Sequence, residues 1–295
     1  MFVLITTFDD LANQGKNMKL LRYGSIGKEK PGALDAQGNI RDLSSVLPDI
    51  TPEWLTPKQL AVLSAIDLTL MPVVDAGVRM GTPTAGIRQF VAIGLNYRKH
   101  AEEAGLGMPE EPVVFNKAIT CITGPNDGIQ LPNGSLATDW EVELAFVMGA
   151  TTHQVSEDDA LNYVAGYCLA NDVSERDWQI NHGPTWFKGK SFPTFGPLGP
   201  WLLTADEVPD PQNIQLSLSV NGVEKQNSNT VDMIFSVKQI IAYLSQIMIL
   251  LPGDVVITGT PSGVALGMKT PEYLKKGDVV TLSASGLGSQ TQLVR

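Results

Sequence analysis

Short alternating or apolar runs recur along the chain and predict a protein built mainly from β-strands. The clearest run, residues 139–148, alternates polar and apolar positions. Further strands are predicted at residues 19–23, 32–34, 40–43, 89–94, 112–117, 164–172, 214–220, 254–259 and 278–283. Because these strands do not alternate regularly with helices, the pattern disfavours Rossmann and TIM-barrel folds.

Three segments have the features of helices. Residues 57–66 begin with proline and follow Thr56, a suitable N-cap residue. Residues 157–163 follow Ser156, another suitable cap, and residues 236–246 form the third segment. No segment repeats at a fixed period or has low complexity, so a repeat architecture is not expected.

The chain is expected to divide into three parts. Residues 1–17 are predicted to be an extraneous or disordered extension before Met18, because their apolar run is too short for a secretory signal and lacks a basic start. The Thr-Pro-Thr segment at 82–84 is typical of a boundary. It would separate a small N-terminal domain at 18–85 from a larger domain at 86–295.

Composition excludes several classes of partner. The formal net charge is −10, which argues against nucleic acid and anionic membranes as partners, since both require an excess of Lys and Arg. Cys121 and Cys168 lack the spacing of a disulfide framework, which indicates a reduced, cytoplasmic setting. No run approaches the roughly 20 apolar residues of a membrane span.

The strand at 139–148 carries Glu141 and Glu143, whose side chains are expected on one face because strand residues i and i+2 point the same way. Asp139 is a possible third carboxylate there. Such close negative charges repel unless a cation lies between them. An all-oxygen set favours Mg²⁺, Mn²⁺ or Ca²⁺ over zinc. The alternative, a solvated strand face, stays open from this strand alone.

Asp172 strengthens the metal hypothesis because it ends an apolar strand, where sites are commonly built. Three carboxylates would leave about half of an octahedral shell open for water and substrate. A non-catalytic β-protein that binds Ca²⁺ for structural reasons remains a different class of interpretation.

His100 and Glu103 follow the strand at 89–94 and would be neighbours at i and i+3 if the segment after Asn96 is helical. A glutamate can orient histidine and raise its basicity, which makes a general base for water. Gly105 and Gly107 would then let this segment move as a lid. The alternative is an incidental pair on a surface helix.

Two loops supply further candidates. Lys190, in the aromatic- and glycine-rich segment 186–196, can stabilise an oxyanion. Thr260, in the turn at 257–263, can help to hold a carboxylate. Ordinary loop lysines and common turn chemistry are the alternatives.

Together these segments resemble the fumarylacetoacetate hydrolase family over about residues 88–285. The matching pieces are, in order, Gly94-Leu-Asn-Tyr-x-x-His100-x-x-Glu103, Phe115-x-Lys117, Glu141-x-Glu143-Leu, Asp172-x-Ser-x-Arg176-Asp-x-Gln179, Lys190-Ser-Phe and Thr258-Gly-Thr260-Pro-x-Gly. The resemblance implies an α+β, mostly β protein with a mixed β-roll catalytic domain, a small β-rich N-terminal domain and a homodimer.

The resemblance also implies roles for individual residues. Mg²⁺ or Mn²⁺ would be held by Glu141, Glu143 and Asp172. His100 with Glu103 would activate water, and Lys190 would stabilise the oxyanion. The pyruvyl end of a small keto-acid substrate would be bound by Arg176, Gln179 and Thr260.

The expected reaction is hydrolysis of the C3–C4 bond of a 2,4-dioxo acid (an acylpyruvate) to pyruvate. The N-terminal strands and the segment 267–278 resemble the branch with 2,4-diketo-3-deoxy-L-rhamnonate or fuconate hydrolases. Alternatives are ureidoglycolate lyase, 2-hydroxyhepta-2,4-diene-1,7-dioate isomerase and oxaloacetate decarboxylation. Arg98, Trp186 and Phe195 are candidates to contact the distal half of the substrate, with local packing as the alternative.

Overall fold

The computed structural model describes residues 18–105, 107–183 and 185–295, so the extension predicted at 1–17 lies outside the described residues. The strands of the described residues are β1 Lys19–Tyr23, β2 Lys30–Leu34, β3 Ile40–Asp42, β4 Phe90–Gly94, β5 Val113–Asn116, β6 Ile122–Thr123, β7 Thr138–Asp139, β8 Val142–Met148, β9 Val164–Asn171, β10 Ser174–Glu175, β11 Gly196–Thr204, β12 Gln215–Val220, β13 Val223–Asn229, β14 Val255–Ile257, β15 Val279–Ala284 and β16 Gly288–Leu293. The prediction of a mostly β protein is therefore confirmed.

Among the described residues, α-helices are fewer than strands. The α-helices are α1 Pro57–Ser64, α2 Arg98–Glu103, α3 Arg176–Ile180, α4 Phe187–Lys190 and α5 Val237–Ile247. Single 3₁₀ turns lie at Pro52–Leu55, Leu68–Leu70, Ile119–Cys121, Ala160–Tyr163, Ala205–Glu207, Thr230–Asp232 and Ala265–Gly267. Among the described helices, none is long and apolar enough to cross a bilayer.

One large mixed sheet organises the molecule, in the order β3-β2-β1-β11-β9-β8-β14-β4-β5, with β6 added beside β11. The β14–β4 and β11–β6 pairs are parallel, and the other pairs are antiparallel. A second, antiparallel sheet has the order β13-β12-β15-β16, and β7 pairs with β10.

The N-terminal strands extend the large sheet, since β1 pairs with β11 at Lys19 and Leu203. This sheet is therefore continuous across the boundary expected near residue 85. The division into domains at 18–85 and 86–295 stays a prediction.

The core lies around the central strands β8 and β9, which are buried at every position. A strand covered on both faces is mostly apolar, and both strands fit this rule except at Glu143 in β8 and Asn171 at the end of β9. Helix α5 covers part of this core with Ile240, Ile241 and Leu244. Ser236 begins α5 through a capping box with Gln239, which the sequence interpretation did not predict.

Five of the described strands were not predicted: β6, β10, β11, β13 and β16. Strands β6 and β10 are two residues long, too short to show an alternating pattern. Strand β11 begins with a Gly- and Pro-rich segment, which is typical of loops. Strands β13 and β16 form the two edges of the smaller sheet and are mostly polar, so they lack an apolar pattern.

Two helix predictions need correction. The helix predicted at 157–163 is wrong, because only a 3₁₀ turn forms at Ala160–Tyr163. Helix α1 does begin at Pro57, but the Thr56 side chain forms no capping hydrogen bond.

Candidate active site

Three carboxylates converge where β8 and β9 meet. Val142 of β8 pairs with Asn171 of β9, which places Glu141 and Asp172 next to each other just beyond that pair. Oxygens of Glu141, Glu143 and Asp172 lie within 4.8 Å of one another, and all three residues are buried. The structure thus brings together the residues that the sequence predicted as metal ligands, although their ligand role stays a prediction.

The backbone around Glu141 leaves the strand ladder, so the predicted strand at 139–148 is interrupted. Strand β7 ends at Asp139 and β8 begins at Val142. Side chains replace the missing ladder bonds: Glu141 N donates to Asn171 Oδ1 at 3.1 Å, and Val142 N donates to Gln226 Oε1 at 2.9 Å. Simple strand alternation therefore does not by itself position Glu141.

Buried cations surround two of the three carboxylates. Lys190 Nζ lies 2.6 Å from both Glu141 Oε2 and Asp172 Oδ2. Lys117 Nζ lies 2.5 Å from Asp172 Oδ1, and Arg176 Nη2 lies 2.7 Å from Glu141 Oε1. Sequence reasoning gave no role to Lys117. Lys117 ends the strand predicted at 112–117, just as Asp172 ends the strand predicted at 164–172, and this position could have indicated a place in the site.

Glu143 has a different electrostatic environment from Glu141. Burial raises the pKa of Glu141, but the charges of Lys190 and Arg176 outweigh burial and lower that pKa to about 2. In contrast, burial and the charges of Asp172 and Glu141 raise the pKa of Glu143 well above its usual range. Among the described residues, no lysine or arginine forms an ion pair with Glu143, which accepts a hydrogen bond from Gly259 N at 2.7 Å.

A divalent cation fits this arrangement. The cation would supply the positive charge that Glu143 lacks, and the donors are oxygens, as Mg²⁺ and Mn²⁺ prefer. The Tyr97 hydroxyl is also buried without a hydrogen-bond partner in the described part of the chain, and burial first, then the charge of Glu143, raise its pKa well above the usual range. The residues present could therefore hold a metal ion, whose identity the donor set does not fix.

Asp139 is not part of the carboxylate cluster. Its Oδ2 accepts from Arg176 Nε at 2.8 Å and from Leu266 N at 3.0 Å, and its Oδ1 accepts from Ala265 N at 2.8 Å. Asp139 thus anchors Arg176 and the 3₁₀ turn that follows residue 264. The third carboxylate of the cluster is Asp172 instead.

His100 and Glu103 lie on α2, as the spacing predicts, and their side chains meet with His100 Nδ1 3.1 Å from Glu103 Oε2. Gly263 N donates to Glu103 Oε1 at 3.0 Å, so the turn after β14 fixes the glutamate. The turn from β4 into α2 is held by Asn96, whose Nδ2 donates to Thr258 O at 2.8 Å. Leu95 in this turn has a φ of 50°, in the left-handed region.

All nine predicted site residues line one cavity of about 420 Å³. Thr260 reaches this cavity, but its hydroxyl already donates to Val142 O at 2.9 Å and accepts from Gln226 Nε2 at 2.8 Å. Of the three candidates for distal contacts, only Trp186 lines the cavity. Arg98 donates to Met233 O, and Phe195 is fully buried beside Phe192.

Residues 89–295 match the family model described as Fumarylacetoacetate (FAA) hydrolase C-terminal. The chain belongs to the fumarylacetoacetate hydrolase family. This match includes every element that contributes to the cavity, and it confirms the resemblance drawn from the short motifs. Members of this family are hydrolases and isomerases.

Similar proteins support the same assignment. A Burkholderia multivorans protein described only as a hydrolase is 56% identical over 279 residues, which cover 94% of this chain and 99% of the relative. A fumarylacetoacetate hydrolase structure from Exiguobacterium antarcticum is 33% identical, with a TM-score of 0.85 and coverage of 94% and 99%. A 5-carboxymethyl-2-hydroxymuconate delta-isomerase structure from Mycobacterium smegmatis is 32% identical, with a TM-score of 0.73 and coverage of 94% and 98%.

Proposed function

We propose that this family member is a divalent-metal-dependent hydrolase that cleaves the C3–C4 bond of a 2,4-dioxo acid and releases pyruvate. The observation that carries the proposal is the presence, in one cavity, of the cluster Glu141, Glu143 and Asp172 and of the His100–Glu103 pair. The cluster can hold a metal and the pair can activate water, which are the two requirements of this hydrolysis.

A bound Mg²⁺ or Mn²⁺ would supply Lewis acidity to the carboxylate and 2-oxo oxygens of the substrate. Lys190 and Lys117 orient one of the proposed metal ligands, because they donate to the two oxygens of the Asp172 carboxylate. Arg176 donates to Gln179 Oε1 at 2.9 Å, so the amide nitrogen of Gln179 remains for a substrate oxygen.

His100 is the general base in this proposal. Glu103 accepts from Nδ1, which leaves Nε2 to take a proton from water, and the carboxylate then stabilises the imidazolium. Water adds to C4, and Lys190 stabilises the oxyanion. The C3–C4 bond then breaks, its electron pair forms the enolate of pyruvate, and protonation at C3 gives pyruvate beside the released carboxylic acid.

Isomerisation is the second candidate, because an isomerase of the family shares the fold. In isomerisation a base would remove a proton from carbon of the intact substrate, and the resulting substrate enolate would be protonated at another carbon, with no C–C bond broken. His100 can serve as the base in either reaction, since it would take a proton from water in hydrolysis and from carbon in isomerisation. The choice of 2,4-diketo-3-deoxy-L-rhamnonate or fuconate as substrate is supported only by the branch resemblance.

The test uses the purified full chain, Mg²⁺ or Mn²⁺, and acetylpyruvate (2,4-dioxopentanoate). We expect loss of the enol absorbance with one pyruvate formed for each substrate lost, and full loss of activity in EDTA with the fold retained by circular dichroism. Enol loss without pyruvate would favour isomerisation. Undiminished activity after complete metal removal would contradict the metal role.

A further inference from the structure

The cavity has two chemically distinct parts. The predicted site residues supply its polar lining, around the carboxylate cluster. The remaining lining is apolar or glycine, and its larger side chains are Ile93, Leu95, Phe115, Ile180, Trp186, Val264 and Leu266. In the proposed reaction the pyruvyl half lies at the polar part, so the acyl half faces the apolar part.

The basic side chains in the described lining already have partners. Arg176 lies between Asp139 and Glu141, and Lys190 lies between Glu141 and Asp172. His100 contacts Glu103. These basic side chains lie at the polar part of the cavity, beside the carboxylate cluster, so a second carboxylate at the apolar part would lose water without an unpaired cation next to it, which is unfavourable.

An aromatic wall limits the apolar part. The Trp186 and Phe115 rings meet edge to face, with centroids 5.2 Å apart. Trp186 also lies directly on the backbone of Gly94, where a methyl group would overlap the indole ring. Glycine at the end of β4 thus lets the wall come close to the backbone, and Trp186 has little freedom to move toward β4.

We propose that the acyl half of the substrate is uncharged and mainly apolar, and that Trp186 is a specificity-determining residue that selects it. This inference rests on the proposed function and narrows it to one class of 2,4-dioxo acid. A short alkyl tail would fill the apolar lining. A tail ending in a carboxylate would be rejected because the lining offers it no free cation.

Three substrates test the proposal: 2,4-dioxopentanoate, 2,4-dioxoheptanoate and 2,4-dioxoheptanedioate. The last two differ only by a terminal methyl or carboxylate group. We expect the wild type to prefer dioxoheptanoate over the diacid by about 10-fold or more in kcat/KM, the scale on which pocket contacts discriminate. Equal or better cleavage of the diacid would overturn the proposal.

Trp186→Ala and a control variant test whether Trp186 determines the selectivity for the acyl half. Trp186→Ala should lower kcat/KM for dioxoheptanoate about 10-fold more than for dioxopentanoate, because only the longer tail contacts the wall. A general disturbance of the site would lower both equally and would overturn the role of Trp186. Trp201→Ala is the matched control: Trp201 does not line the cavity, and its Nε1 donates to Gly286 O instead.

Ile180→Arg supplies the missing cation, since Ile180 lines the cavity and is 54% exposed. The kcat/KM ratio of diacid to dioxoheptanoate should rise about 10-fold, and an unchanged ratio would count against the proposal. If no 2,4-dioxo acid is cleaved by any of these proteins, the proposed function itself fails. If all are cleaved with the diacid preferred, only the present inference fails.

Discussion

Two glutamates separated by one residue have opposite electrostatic environments in this protein. Glu141 is held by Lys190 and Arg176, whereas Glu143 has no basic partner among the described residues. Both carboxylates are buried, so the difference arises from their neighbours rather than from exposure. Glu143 is therefore the carboxylate that most needs a bound cation, and Glu141 also contributes to the stability of the metal-free protein.

Glutamine substitutions at Glu141 and Glu143 separate the contribution to metal binding from the contribution to the stability of the metal-free protein. Glu141→Gln breaks a buried ion pair and should destabilise the EDTA-treated protein by about 3–5 kcal/mol. Glu143→Gln removes a carboxylate without an ion-pair partner and should leave that stability unchanged or increase it. Both variants should lose Mn²⁺ affinity in calorimetric titration. Equal thermal destabilisation of the two variants in EDTA would contradict the assigned ion pairs.

The His100–Glu103 pair gives a second prediction at the residue scale. His100→Gln should lower kcat by ~10²–10⁴-fold, the usual contribution of a general base. Mn²⁺ affinity should stay at the wild-type value, because His100 is not in the carboxylate cluster. Near-normal turnover of acetylpyruvate by this variant would refute the role of His100.

At the scale of elements, local spacing predicted part of the site. The i, i+3 relation of His100 and Glu103 depends only on a helix, and Asp172 could be recognised at the end of an apolar strand. Lys117 was recognised only as part of a family motif and given no role, and Gln226 was missed, because their partners lie 55 and 84 residues away. Local sequence periodicity cannot predict hydrogen bonds between side chains so far apart in sequence, because these bonds form only when the strands assemble.

Strand β13 contributes to the site through a single amide. Gln226 accepts from Val142 N at 2.9 Å and donates to Thr260 Oγ1 and Pro261 O, both at 2.8 Å. It therefore ties the smaller sheet to the interrupted strand beside Glu141 and to the turn after β14.

Gln226→Leu should leave these three buried groups without their partner. We expect a loss of about 2–3 kcal/mol in urea unfolding and weaker Mn²⁺ binding, since the backbone beside Glu141 is no longer fixed. Gln215→Leu on the neighbouring strand is the matched control, because Gln215 is exposed and its side chain donates to Asn227 Oδ1, its one side-chain partner in the described part of the chain. Equal effects of the two variants would argue against a specific role for Gln226.

At the scale of the whole molecule, an ion pair joins the N-terminal segment to the rest of the chain. Arg79 Nε lies 2.8 Å from Asp127 Oδ1, and Arg79 Nη2 lies 2.6 Å from Asp127 Oδ2. Thr123 and Gly124 also donate to Asp127. Burial raises the pKa of Asp127, but these hydrogen bonds outweigh burial and lower the pKa below its usual range.

The lowered pKa of Asp127 predicts the sign of a pH effect. Its contribution is fully present above the unfolded pKa of about 3.9 and is lost as pH falls through the lower folded value. Asp127→Asn should therefore cost about 1–2 kcal/mol at pH 7. The difference between wild type and variant in the free energy of urea unfolding should shrink below about pH 4. A difference that grows on acidification would contradict the lowered pKa of Asp127.

The large sheet could be anticipated strand by strand, but its order could not. Strand β1 pairs with β11 through residues more than 180 positions apart in sequence, which only the assembled fold reveals. The homodimer and the cytoplasmic location remain predictions at this scale. The first would be tested by light scattering against the chain mass of 31.8 kDa.

Trp186 and Lys190 belong to the same short segment, with Trp186 as the N-cap of the four-residue helix that ends at Lys190. Any evolutionary or engineered change that reshapes the indole also risks moving the ammonium four residues later. A substitution in this segment is therefore expected to change substrate selectivity and turnover at the same time. Substitutions at Ile180 or Leu266 should change substrate selectivity with less loss of turnover, because these residues lie on other elements and do not share a helix with Lys190.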